Sequence, residues 1–180
     1  MALKPTIYKL GIALSDLDRE VFDSLNLTIA QHPSETLERM MVRVLAYCFN
    51  VAEGLQFCKG LSDTEEPALW QHSLDGSLQL WIDVGEPAVE RVKKASRLAP
   101  NVKVYSFNHK AGTWRDLNQH ELSKLSAVIY QFQWEQIHAL AGAVARTMDI
   151  SITITDASAY IATEQGEFEV ALQTCSTNGD

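Results

Sequence analysis

Asp83 ends the apolar run LQLWID, and Lys93 and Lys94 follow it beyond a Gly85-Glu86-Pro87 break. A carboxylate at a strand end can hold a divalent cation. An ammonium close by can orient a water or stabilise charge developing on a phosphate, and the two together suit phosphodiester hydrolysis. The same spacing also allows an ordinary surface ion pair, which adds little to stability. Glu38 is a second candidate acid. On a helical wheel begun at Leu37 it falls at the edge of the apolar stripe beside Leu45, where it could reach across the end of a sheet or pair with the neighbouring arginines. Glu35 lies further toward solvent, where it complements the helix N-terminus.

Other chemistries lack their anchors. Histidines 32, 72, 109, 120 and 138 form neither His-x-x-x-His nor His-Glu-x-x-His, which disfavours zinc hydrolysis. The chain contains no Gly-x-Ser-x-Gly, no Gly-x-x-x-x-Gly-Lys-Ser/Thr and no Gly-x-Gly-x-x-Gly, so serine hydrolase, P-loop and dinucleotide readings fail. Trp70, Trp81, Trp114 and Trp134 are dispersed and read as core or rim residues before they read as base-stacking ones. Cys48, Cys58 and Cys175 fit neither a disulfide framework nor a Cys-x-x-Cys site, and reduced structural thiols are expected.

The elements that position these residues follow from periodicity. Leu78, Leu80 and Ile82 alternate with Gln79, Trp81 and Asp83, which predicts a strand with Asp83 on the face opposite the leucines. Gly85 ends it, Pro87 suits the first position of a helix, and AVERVKKASRLA has Ala88, Val92, Ala95 and Leu98 on one side. The run VKVYSF (102–107) then completes a strand–helix–strand unit, which favours parallel pairing. Residues 4–14 and 20–30 read as a hairpin turning at Asp16, Asp18 and Arg19. Within HPSETLERMMVRVLAYCFNVAEG a helix is expected, with Ser34 as N-cap, Leu37, Met40, Met41, Val44, Cys48 and Val51 as its apolar stripe, and Gly54 closing it. Segment 109–126 reads as loop or short helices. The remainder reads as a strand at 127–132, a helix at 134–147 and strands at 150–155, 159–163 and 168–174. The sum is an α/β or α+β fold, a mixed central sheet flanked by helices in one domain over residues 1–180.

Hydrophobic residues at 46% and charged residues at 21% exclude a largely disordered chain. A net charge of −8 supplies no general attraction for nucleic acid, so such binding would need a local basic patch. The N-terminus lacks an apolar core followed by a cleavage site, and no window approaches the roughly 20 apolar residues that span a bilayer. A cytoplasmic location without membrane association is expected.

HPSETLERMM, QFCKGLS, EEPALW, LWIDVGEP and RVKKA together resemble the YaeQ-like family of small bacterial proteins, and the resemblance covers almost the whole chain. That family is similar in fold to the PD-(D/E)XK nuclease superfamily, whose core is a mixed sheet between helices with acids at one sheet end. The likeness implies a glutamate on the first core helix, matched by Glu38, and an acid–x–lysine pair, matched by Asp83 but with Gly85 in place of the lysine. Lys94, or else Lys93, would supply the ammonium from the following helix. The expected Pro-Asp falls at Pro67-Ala68, so alanine stands where a metal-binding acid is implied, and Glu66 or Glu65 is the substitute. The implied catalytic set is Glu38, Asp83 and Lys94, and the implied ligands of Mg²⁺ or Mn²⁺ are Asp83, Glu66 and Glu38. The implied function is a metal-dependent nuclease or phosphodiesterase with a variant site. The alternative is a catalytically inactive, nuclease-derived module that binds nucleic acid or protein.

Overall fold

The computed structural model describes residues 4–59, 61 and 63–175. Two long strands open the chain, β1 (Thr6–Asp16) and β2 (Val21–Gln31), paired antiparallel without a register shift. Buried and exposed positions alternate along both, as a sheet with one face on the core and the other outward requires. Asp16 closes the turn by accepting from the backbone N–H groups of Asp18 and Arg19, each at 3.1 Å, and from Arg19 Nε at 2.7 Å. The same arginine donates to the carbonyls of Cys48 and Val51. The turn thereby satisfies the C-terminus of α1 (Leu37–Asn50), which has no basic residue in its own last turn.

The expected stripe of α1 is buried: Met40, Met41, Val44 and Cys48 are all fully enclosed. Its termini differ from expectation. Thr36, not Ser34, is the N-cap, accepting from Arg39 N, and the helix ends at Asn50 with Val51 as C-cap. Gly54 instead turns the chain into a short strand, β3 (Leu55–Phe57), at φ +86°. A Cβ there would stand 2.5 Å from the His72 carbonyl oxygen. Gly54→Ala is therefore expected to cost about 1–3 kcal/mol, read as a lower urea midpoint, and an unchanged midpoint would refute the constraint.

After β4 (Leu69–His72) come β5 (Leu78–Val84), α2 (Val89–Leu98) and β6 (Asn101–Ser106), the anticipated unit, with β5 and β6 parallel. Segment 109–126 holds one helix, α3 (Ala111–Leu122), and β7 (Ala127–Phe132) extends the parallel run. The helix expected over 134–147 stops early. α4 covers Trp134–Ala141, and β8 (Thr147–Thr155) starts at the residue taken for the helix end. Strands β9 (Ser158–Thr163) and β10 (Gly166–Thr174) complete a ten-stranded sheet in the order β2-β1-β8-β9-β10-β7-β6-β5-β4-β3. β10 joins its halves, pairing with β9 through residues 166–171 and with β7 through 172–174.

Most pairings are antiparallel, and β1–β8, β5–β6 and β6–β7 are parallel, so the expectation of a mixed α/β fold holds. Helix α1 packs on the main core with Leu80, Ile82, Phe132 and Ile152, whereas Trp81, Val92, Val102, Val104 and Leu122 form a second cluster under α2 and α3. β5 is thus covered on both faces, and its C-terminal end emerges between α1 and α2. No helix of the described residues is long and apolar enough to cross a membrane.

Candidate functional site

The strand that carries Leu80 and Ile82 into the main core turns Asp83 the other way, where it is only 4% exposed. Burying a lone carboxylate is costly unless it is paired, and the partner here is Arg91, one turn into α2. Arg91 Nε donates to Asp83 Oδ2 and its Nη2 to Oδ1, both at 3.1 Å. Its remaining N–H groups donate to the carbonyl oxygens of Thr64 (2.5 Å) and Glu66 (2.9 Å). One guanidinium therefore fastens β5, α2 and the acidic loop together in the planar, multidentate manner that arginine allows and lysine does not.

A cleft of about 230 Å³ opens over this pair, and Arg39, Asp63, Glu66, Asp83, Glu86 and Arg91 give it four carboxylates against two guanidiniums. Ala68, where the family likeness implied an acid, also lines it. Arg39 arrives from the first turn of α1, and its guanidinium pairs with Glu35. Burial lowers the Arg39 pKa below its ordinary value, with Glu35 and, more weakly, Asp83 acting against that shift.

Glu35 was expected toward solvent, and the structure corrects this. It is buried and also accepts from Arg43 Nε at 2.9 Å and Arg43 Nη2 at 2.6 Å. Its backbone is held at both ends, its N–H donating to the His32 carbonyl and its own carbonyl accepting from Gln31 Nε2. These contacts draw the segment before Thr36 inward, against the wheel position that pointed it out.

Of the residues singled out in the sequence, Asp83 and Glu66 share the cleft. Glu38 and Lys94 are not among its lining residues. Glu38 Oε1 lies 2.8 Å from His138 Nδ1 on α4. Lys94 Nζ bonds Glu65 Oε2 at 2.6 Å, with both side chains more than half exposed, and Lys93 bonds Glu90 and Glu121. Exposed pairs of this kind add little to stability. Arg91 and Lys94 are three residues apart on one helix, so both rise from the same side of α2. Spacing could not choose between them. The guanidinium's match to a carboxylate and two carbonyls is a signal that residue type alone carried, and the sequence reading missed it. Arg39, one residue beyond Glu38, was missed for the same reason.

Whether these residues suit a divalent cation turns on the donor set. Asp63, Glu66, Asp83 and Glu86 offer oxygen only, the preference of Mg²⁺, which is commonly held by one or two carboxylates completed by water and phosphate. Among the described residues no group of three or more His, Cys, Asp and Glu side chains is placed to hold a metal ion. Asp83 and Glu66 match such an ion in donor type, while Arg91 bonds both Asp83 oxygens as the resident cation.

The fold and cleft define a class, mixed-sheet α/β proteins with a carboxylate–guanidinium pair at the end of a parallel strand. The family model described as YaeQ protein matches residues 1–172. The chain belongs to the YaeQ family. It is 37% identical over 174 residues to YaeQ of Escherichia coli strain K12, covering 96% of both chains, and 36% identical to YaeQ of Salmonella typhi over the same length. The crystal structure of YaeQ from Xanthomonas axonopodis pv. citri superposes with a TM-score of 0.91 at 30% identity, over 96% of this chain and 98% of that one. That of YaeQ from Pseudomonas syringae gives 0.91 at 36%, over 98% and 97%.

Proposed function

We propose that the cleft at the end of β5 is a phosphodiester site of the PD-(D/E)XK nuclease type in a variant form, serving a metal-dependent nuclease or phosphodiesterase activity on nucleic acid. One observation carries the reading. Asp83 is buried at the end of a parallel strand and opens with Glu66 onto a cleft whose lining has an excess of carboxylates, an environment that favours a cation.

Asp83 and Glu66 are the residues that would hold Mg²⁺ or Mn²⁺. When bound, such an ion lowers the pKa of an attacking water and offsets charge on the phosphate. Arg39 and Arg91 supply the positive charge assigned to Lys94 in the sequence reading, and a guanidinium suits phosphate better because it can bond two oxygens at once. Glu35 keeps Arg39 in place. Glu86 is itself oriented, since it accepts from Phe107 N at 3.2 Å.

A second reading rests on the Arg91–Asp83 pair. A guanidinium that satisfies both Asp83 oxygens suits a nuclease-derived module that binds nucleic acid or a protein without turnover. Calorimetric titration of Mg²⁺ and Mn²⁺ into the wild type and Asp83→Ala, run beside cleavage assays on single- and double-stranded DNA and RNA, separates the two. The enzymatic reading expects one cation site and metal-dependent cleavage, both lost in Asp83→Ala. If all four substrates stay uncut at high enzyme concentration while Asp83→Ala retains nucleic-acid affinity, the binding module stands instead.

A further inference from the structure

Three rings, one from the residue after β6 and two from α4, lie nearly parallel. Phe107, the residue after β6, is stacked with Trp134 at 6.3 Å between centroids and 20° between planes, and Trp134 with His138 at 5.5 Å and 16°. His109 adds a tilted contact to Trp134 at 4.5 Å. The inner end belongs to the core, since Phe107 is fully buried and its N–H bonds the cleft residue Glu86. His138 does not, for its side chain is 65% exposed. It is nonetheless fixed in orientation, because Nδ1 is held by Glu38, whose own side chain is only 15% exposed. An exposed ring pinned by a mostly buried carboxylate adds little to burial but is pre-oriented for a flat partner, so binding costs little side-chain freedom.

We infer that the exposed His138 ring, backed by Trp134 and the buried Phe107, forms a stacking platform for an unpaired nucleobase, which makes single-stranded nucleic acid the ligand class of this protein. The inference rests on the reading that the neighbouring cleft takes a phosphodiester. The inner end of the stack meets the cleft lining through the Phe107 N–H, which donates to Glu86. Stacking tolerates sequence because every base has a π-face, and the chain's net charge of −8 requires such a local contact to supplement electrostatic attraction. Exposed Lys110, next to His109, offers a cation on the same rim. The same arrangement gives Glu38 a positioning role: it orients His138, and the cleft lining does without it.

The test compares a fluorescently labelled ten-nucleotide oligothymidylate with an abasic oligonucleotide of equal length, by anisotropy at low salt in EDTA so that neither is cut. The wild type is expected to bind the thymidylate roughly tenfold more tightly than the abasic strand. His138→Ala should bring that ratio close to one without changing abasic affinity, and His138→Phe, which keeps a flat ring, should restore it. A ratio near one for the wild type, or a ratio unchanged in His138→Ala, overturns the platform and leaves the cleft reading intact. Binding of neither strand by any variant overturns the platform, and the metal-dependent cleavage assay decides the cleft separately.

Discussion

Glu35→Ala is expected to remove about 3–5 kcal/mol of stability, a large share of the roughly 5–15 kcal/mol that holds a typical domain folded. The carboxylate is buried between two guanidiniums, Arg39 and Arg43, and Arg43 is only 3% exposed. Truncation leaves Arg43 the Ala30 carbonyl and the face of Phe57, neither of which neutralises its charge. The loss is the cost of an uncompensated buried cation, larger than the net contribution of an intact pair. Equilibrium urea denaturation of the wild type, Glu35→Ala and Glu35→Gln measures it. Glutamine keeps an acceptor and should fall between the other two, and a loss under about 1 kcal/mol for the alanine variant would show that the triad is not what holds this corner. Because Arg39 also lines the cleft, the damage should reach the site.

Arg91→Ala is expected to cost about 2–3 kcal/mol in EDTA, less than Glu35→Ala because Arg91 is itself one-third exposed and water can replace part of what it gives. It leaves the nearly buried Asp83 without its cation and the Thr64 and Glu66 carbonyls without a donor. If Asp83 and Glu66 hold a divalent ion, Mg²⁺ can occupy the vacated charge, and binding to the folded state alone raises stability with concentration. The variant should therefore recover melting temperature in Mg²⁺ by more than the wild type gains, and the double variant Arg91→Ala/Asp83→Ala should not recover. Equal Mg²⁺ responses in all three proteins would count against a cation site at Asp83.

The features read from local pattern alone are those whose cause is local. The apolar stripe of α1, the hairpin closed at Asp16 and Arg19, and the β5–α2–β6 unit with Asp83 at the end of its first strand are dictated by side-chain period and turn chemistry within a few residues. The features that escaped have distant causes. β3 and β4 are too short to show a period and exist because they pair with each other and β4 with β5. Thr147 belongs to a strand because β8 lies alongside β1, with Lys9 opposite Thr147, a pairing no helical pattern in 134–147 can report.

The site divides in the same way. The sequence by itself determined the type of chemistry available: an acid ending an apolar strand, a Gly-x-Pro break, and a cation-rich helix after it. Only the tertiary structure decided which charges meet. It gave Asp83 to Arg91 in place of Lys94, Glu38 to a histidine a hundred positions away, and Glu35 to two buried arginines. Residue type and period constrain what can lie on a given face, but an ion pair between elements depends on how those elements cross, and crossing is settled by the packing of the whole sheet against its helices.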